Sequence, residues 1–314
     1  MLLRQVLELF DLLDMPAANG KTVTELLKNR GAAKVSVETV TGEEGETDCV
    51  TVLIQGSEGK SSGGTAPTLG IIGRLGGLGA RPEVTGFVSD GDGALAALAA
   101  GLKLAEMNKN GDVLLGDVLI ATHICPDAPT QEHFPVPFMG SPIDMTTNNE
   151  KEVLPEMDAI ISIDTTKGNR VINVNGFAIS PTIKEGYILE VSNDLMDVMT
   201  RVTGKLPSIF PVAQQDITPY GNDLHHLNSI LQPATATNVP VVGVAITTEQ
   251  PVAGCATGAS HFQDVEAAAR FAVEVAKGYG SGQISFYDEK EFNHLQELYG
   301  PMNVFQTFGK QAGG

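Results

Sequence analysis

Three apolar runs in this chain each finish on a residue that can hold a metal or move a proton: Thr85-Gly-Phe-Val-Ser-Asp90, Val118-Leu-Ile-Ala-Thr-His123 and Ala159-Ile-Ile-Ser-Ile-Asp164. Continuous Val/Ile/Leu runs are what parallel strands buried on both faces require, and ligands of open α/β sheets sit at the carboxyl ends of such strands. The pattern therefore predicts strands that deliver Asp90, His123 and Asp164 to one edge. Between the first two runs lies Ala94 to Met107, rich in strong helix formers and ended by Asn108-Lys-Asn-Gly111, which completes a strand, helix, strand unit. A further strand is predicted at Pro240–Ile246, followed by a helix over Val265–Lys277 with Asp264 as its N-cap and Gly278 as its stop. Near the amino terminus, Leu3–Leu13 and Val23–Leu27 predict two helices separated by Pro16-Ala-Ala-Asn-Gly20. Val35–Val40, the turn Gly42–Gly45 and Cys49–Ile54 predict a hairpin. Phe292, Leu295 and Tyr299 recur at helical spacing, a stripe suited to self-association or to packing on its own domain.

Length and composition narrow this picture. With 314 residues, 42% hydrophobic and 18% charged, the chain can fold as one α/β domain, with loop insertions near 56–84 and 126–155. A formal net charge of −18 supplies no basic footprint, which argues against nucleic acid and anionic membranes as partners. No run approaches a membrane span, and the charges within Met1-Leu-Leu-Arg-Gln-Val-Leu-Glu are unlike a signal peptide, so a soluble cytoplasmic protein is expected. Cys49, Cys125 and Cys255 form no CxxC pair, which suits a reducing compartment.

The residue types at the strand ends suggest metal chemistry. Asp90, Asp92, His123, Asp164 and His261 are the candidate metal ligands, because zinc takes imidazole nitrogen and carboxylate oxygen and keeps a position open for water. One or two divalent ions, zinc foremost, would then drive hydrolysis of a peptide or related amide, with Glu132 or Asp127 as proton acceptor. Each candidate also has a structural reading: one of Asp90 and Asp92 as a helix cap, His123 and His261 as loop residues, Asp164 as a turn initiator. Asp216, His225 and His226 are candidate substrate contacts, and adjacent His225 and His226 cannot both face one site from a strand. Cys125 is a rival nucleophile if His133 activates it. The glycine-rich stretches Gly56–Gly64 and Gly70–Gly79 lack the spacing or the following helix that nucleotide-binding loops need.

The stretches Pro67-Thr-Leu-Gly-Ile-Ile-Gly-Arg-Leu-Gly-Gly77, Val88-Ser-Asp-Gly-Asp-Gly-Ala94, Thr122-His-Ile-Cys-Pro-Asp-Ala-Pro129 and Gln215-Asp-Ile-Thr-Pro-Tyr-Gly-Asn222 resemble the prokaryotic domain-of-unknown-function family 1177, which implies no particular reaction. In the order of its elements the chain more distantly resembles co-catalytic zinc aminopeptidases of the glutamyl and deblocking type. That likeness implies a three-layer αβα sandwich with a mostly parallel central sheet. It also implies Asp90 or Asp92 as a metal-bridging aspartate, Asp164 as a further ligand and His261 as the last histidine ligand. The chain departs from those enzymes in having no histidine in Val50–Gly56 and in placing Thr122-His123-Ile-Cys-Pro where they carry paired glutamates. A single-metal variant, a different hydrolase and a non-catalytic binding or assembly protein on the same scaffold are all consistent with that pattern. A small-molecule or peptide partner and a homo-oligomer are expected.

Overall fold

A computed structural model describes residues 2–74, 86–125, 128–132, 138–227, 229–252 and 259–310. The chain opens with α1 (Leu3–Leu13) and α2 (Gly20–Arg30), then the hairpin β1 (Lys34–Gly42) and β2 (Gly45–Ile54). Asn19 caps α2 with its carboxamide on the Thr22 amide, and Gly31 ends the helix in the left-handed region at φ 108°. Next come β3 (Leu69–Gly73), α3 (Asp92–Lys109), β4 (Val118–Ile124), the short β5 (Thr130–Gln131) and β6 (Phe138–Met139), α4 (Met145–Glu152) and β7 (Ala159–Thr165). The rest is β8 (Gly176–Ile179), β9 (Ile183–Lys184), β10 (Tyr187–Ile188), α5 (Asn193–Thr203), β11 (Val241–Thr247), α6 (Phe262–Gly280) and α7 (Glu289–Tyr299).

Among the described residues, nine strands form one mixed sheet in the order β1-β2-β4-β3-β7-β11-β9-β10, with β8 on β11. Its centre, β4-β3-β7-β11, is parallel, while the strands on both flanks pair antiparallel. Alternation along the strands sorts the core. Ile71, Ile120, Ile161 and Val244 pack with the alanine-rich face of α3 and with α6, whereas Ile72, Ala121, Ile160 and Ala245 face a second layer containing Phe210, Ile230 and Leu231. That second layer is formed by α4 and the coiled segment between α5 and β11. The fold is thus the three-layer α/β arrangement expected, with its parallel strands concentrated at the centre. Among the described residues no helix is long and apolar enough to cross a membrane.

The structure corrects one element. The first strand of the βαβ unit is Leu69–Gly73, inside the stretch read as a loop, while the Asp90 run enters α3 through a 3-10 turn over Ser89–Gly91. Glycine disguises β3 because close packing needs it: a Cβ on Gly70 would come within 2.4 Å of the Met157 sulfur, and one on Gly73 within 2.6 Å of Ala94 Cα. Since the obstacle at Gly73 is helix backbone, Gly73→Ala should lower stability by about 2–3 kcal/mol in a urea titration; an unchanged midpoint would mean that α3 can move away freely.

Helix α6 starts three residues earlier than predicted, so Asp264 lies in its first turn and His261 holds the N-cap position without a side-chain cap bond. The α7 stripe packs partly on its own chain: buried Phe292 meets Tyr187 edge-on at 5.9 Å, while Leu298 and Tyr299 are exposed.

Candidate functional site

The sheet register puts the chemistry at one edge. Gly73 stands level with Thr122 on β4 and with Ile163 on β7, so the next residues, Arg74, His123 and Asp164, lie side by side at the carboxyl ends of three adjacent parallel strands. The Arg74 amide continues the ladder by donating to the Ile163 carbonyl at 2.8 Å. All three side chains are buried, with Arg74 at 0% exposure. Helix α4 supplies the partners of Arg74 and His123. Glu152 accepts from Arg74 Nη1 through Oε2 and faces His123 Nδ1 at 2.8 Å through Oε1, and Asn149 Oδ1 accepts from Arg74 Nη1 at 3.3 Å. Met145 Sδ also touches the guanidinium. Residues 145, 149 and 152 fall on one helical face, which is why a single helix can embrace one arginine. A histidine ring nitrogen donates or accepts according to its tautomer, and a carboxylate oxygen can only accept, so with Glu152 as carboxylate the His123 Nδ1 is the donor of this contact.

Asp164 accepts from Ser229 Oγ at 2.6 Å and from its neighbour's amide, Thr165 N, at 2.7 Å. Burial pushes its carboxyl up to about 6, against the two hydrogen bonds and the Arg74 charge, which hold it down. Burial also raises the Cys49 thiol to about 12, with the Glu152 charge adding to the effect; Cys49 is the cross-strand partner of His123. That thiol is therefore protonated and inert as a nucleophile.

The second cluster lies at the start of α3. Asp92 does not cap the helix; its carboxylate faces Lys167 Nζ at 3.2 Å and accepts from Ser260 Oγ. Lys167 also donates to the Ala259 carbonyl at 3.2 Å, and its side chain is 7% exposed. Burial raises the Asp92 carboxyl above the usual carboxylate range, and Lys167 and Ser260 counter this.

The remaining candidates separate. Asp90 is buried in the turn before α3. His261 is 53% exposed and pairs with Asp264 at 3.2 Å within its own helix turn. Glu132 is exposed, apart from the buried network, and Asp127, His133 and Cys255 lie outside the described residues. Cys125 is buried, its sulfur 3.5 Å from the Glu46 carbonyl. Asp216 ties its own loop by accepting from the Ala213 and Leu227 amides at 2.8 and 3.1 Å. His226 stacks on Tyr220 with centroids 4.2 Å apart and faces the Thr218 and Leu224 carbonyls, whereas His225 is exposed. Asp216 and His226 thus shape the loop that carries Ser229.

Sequence reasoning missed Arg74, Asn149, Glu152, Lys167, Ser229 and Ser260. Arg74 had a signal, since Leu69-Gly-Ile-Ile-Gly-Arg74 is one more apolar run ending on a functional side chain. The others depend on long-range packing.

A divalent ion needs several protein donors converging on one point. Among the described residues no group of three or more His, Cys, Asp or Glu side chains is placed to hold one. Among the described residues the donors do not fit a resident ion, because Glu152 and Asp92 already face Arg74 and Lys167.

Solved structures similar to this chain include the LapA aminopeptidase of Legionella pneumophila, at 9% identity and TM-score 0.50 over 88% of this chain and 70% of that one. The glutaminyl cyclase of Macrostomum lignano is similar at 12% identity and TM-score 0.48, covering 90% of each chain. The bottromycin maturation enzyme BotP in complex with Mn matches at 14% identity and TM-score 0.45, over 86% of this chain and 70% of that chain. Likeness at this identity establishes an aminopeptidase-like α/β fold and nothing about the reaction. No curated protein matches the chain. A family model described as "Protein of unknown function (DUF1177)" matches residues 38–309, and the chain belongs to that family.

Proposed function

We propose that this protein binds a small peptide or related amide-bearing molecule at the carboxyl edge of β3, β4 and β7, as a binding protein on a peptidase-type scaffold. The observation that carries this reading is Asn148. It is fully buried, and neither atom of its carboxamide has a hydrogen-bond partner among the described residues. Four residues from Glu152, it shares that helix face, and Arg74 Nε in the same network is likewise without a partner. Buried polar groups without partners are rare and costly, and a ligand is one way to satisfy them. A carboxamide offers a donating NH2 and an accepting oxygen, the complement of a peptide group, and a guanidinium N–H suits a carbonyl or carboxylate oxygen. Ser260 and His261, half-buried and exposed, lie on the solvent side of the Asp92 cluster. The metal-dependent amide hydrolase expected from sequence would need three donors around an ion, and the charge pairing of Asp92 and Glu152 disfavours that alternative.

Calorimetric titration with dipeptides and amino-acid amides tests the reading. Asn148→Ala should weaken binding about tenfold or more while leaving stability unchanged or raised, because a partnerless buried amide costs folding energy. Undiminished binding in that variant, or chelator-sensitive cleavage of the same compounds by the unmodified protein, would remove the reading.

A further inference from the structure

We infer that Arg74 and Lys167 are built-in counter-charges of Glu152 and Asp92, two buried carboxylates that α4 and α3 bring to the strand ends, so that the described residues of this site neither hold nor require a divalent metal ion. The argument starts from position. Arg74 lies level with His123 and Asp164 and between them, where ligands from β4 and β7 would have to converge on an ion. Its guanidinium is wholly buried and bonded to Glu152 and Asn149, and a guanidinium does not give up its proton in a protein. A dication entering there would meet a fixed positive charge in a poorly screened interior. At the other cluster Lys167 Nζ lies between the Asp92 carboxylate and the Ala259 carbonyl, two oxygen ligands of the kind a hard cation takes.

Three further candidates also face partners within the protein. His123 turns Nδ1 to Glu152, Asp164 accepts from Ser229 and the Thr165 amide, and His261 turns to Asp264. The two cations thus do electrostatically what an ion would do: they allow Glu152 and Asp92 to be buried. This inference shares its site with the binding reading and depends on no ligand, so the two fail separately.

The test is elemental analysis of full-length protein purified without chelator from zinc- and manganese-supplemented medium, with melting curves in added zinc, manganese or chelator. Ion content far below one per chain, with melting unmoved by any addition, is the expected result. A stoichiometric ion whose removal lowers the melting temperature, and which is lost in His123→Ala, would overturn the inference. Arg74→His, which swaps the blocking charge for a ligand, should bind cobalt(II), followed by its visible absorption, about tenfold or more tighter than the unmodified protein. Should that variant not fold, Lys167→Gln is expected to show the same direction at Asp92. Cobalt affinity unchanged in a folded variant would overturn the role given to that cation. Failure of peptides to bind a metal-free protein would sink the binding reading and leave this inference standing.

Discussion

Arg74→Met should cost about 3–5 kcal/mol of folding stability, measured by urea denaturation, because it leaves the Glu152 carboxylate buried without its counter-charge. Methionine keeps much of the volume and cannot donate, so the loss reports on charge and hydrogen bonding more than on a cavity. Glu152 is 1% exposed and cannot turn to water, and its remaining partner is the His123 ring. Adding Glu152→Leu to Arg74→Met should recover part of that cost, since an apolar side chain in place of the orphaned charge removes the desolvation penalty. A loss below about 1 kcal/mol in the single variant would show that the guanidinium is not what balances Glu152.

Asp164→Asn should stabilise the protein with a specific pH dependence. The carboxyl rises from its ordinary value of 3.8 to about 6 in the folded state, chiefly through burial. A raised carboxyl favours the protonated form in the fold, so the stability it contributes is complete below about pH 4 and is lost as pH climbs through about 6. The gap corresponds to about 3 kcal/mol. Asparagine stays neutral, so the variant should gain on the unmodified protein by up to that amount between about pH 4 and pH 8. Its carboxamide oxygen can still accept from the Thr165 amide, while Ser229 must reverse its role and accept. Paired urea titrations across that range decide the matter, and parallel curves for the two proteins would mean that Asp164 is not desolvated as described. The expected gain also agrees with a ligand-binding edge that sacrifices stability for polar groups held away from water.

Much of this protein is determined locally. The helix Leu3–Leu13, the β1–β2 hairpin and the strands that carry His123 and Asp164 one residue before their ends follow from apolar runs, turn residues and helix formers within a few positions of each other. The same local pattern placed His123 and Asp164 at the sheet edge, because a buried parallel strand must end where its apolar run ends. Asp90 broke the rule, since its run is a turn leading into α3, and β3 escaped notice because its glycines serve the close approach of Met157 and α3.

What only the tertiary structure decided is the partner of each charge. Arg74 and Glu152 are 78 residues apart, Asp92 and Lys167 are 75, and Asp92 and Ser260 are 168. Spacing along a chain carries no information about such meetings, because they depend on strand order and on which helix closes over the edge. A sequence can therefore present carboxylates and imidazoles that read as metal ligands, while the fold brings a lysine to one of them, Asp92, and sets an arginine paired with Glu152 beside two others, His123 and Asp164. The residue types fixed that charge would gather at the strand ends, and packing fixed that the protein itself supplies the balancing cations.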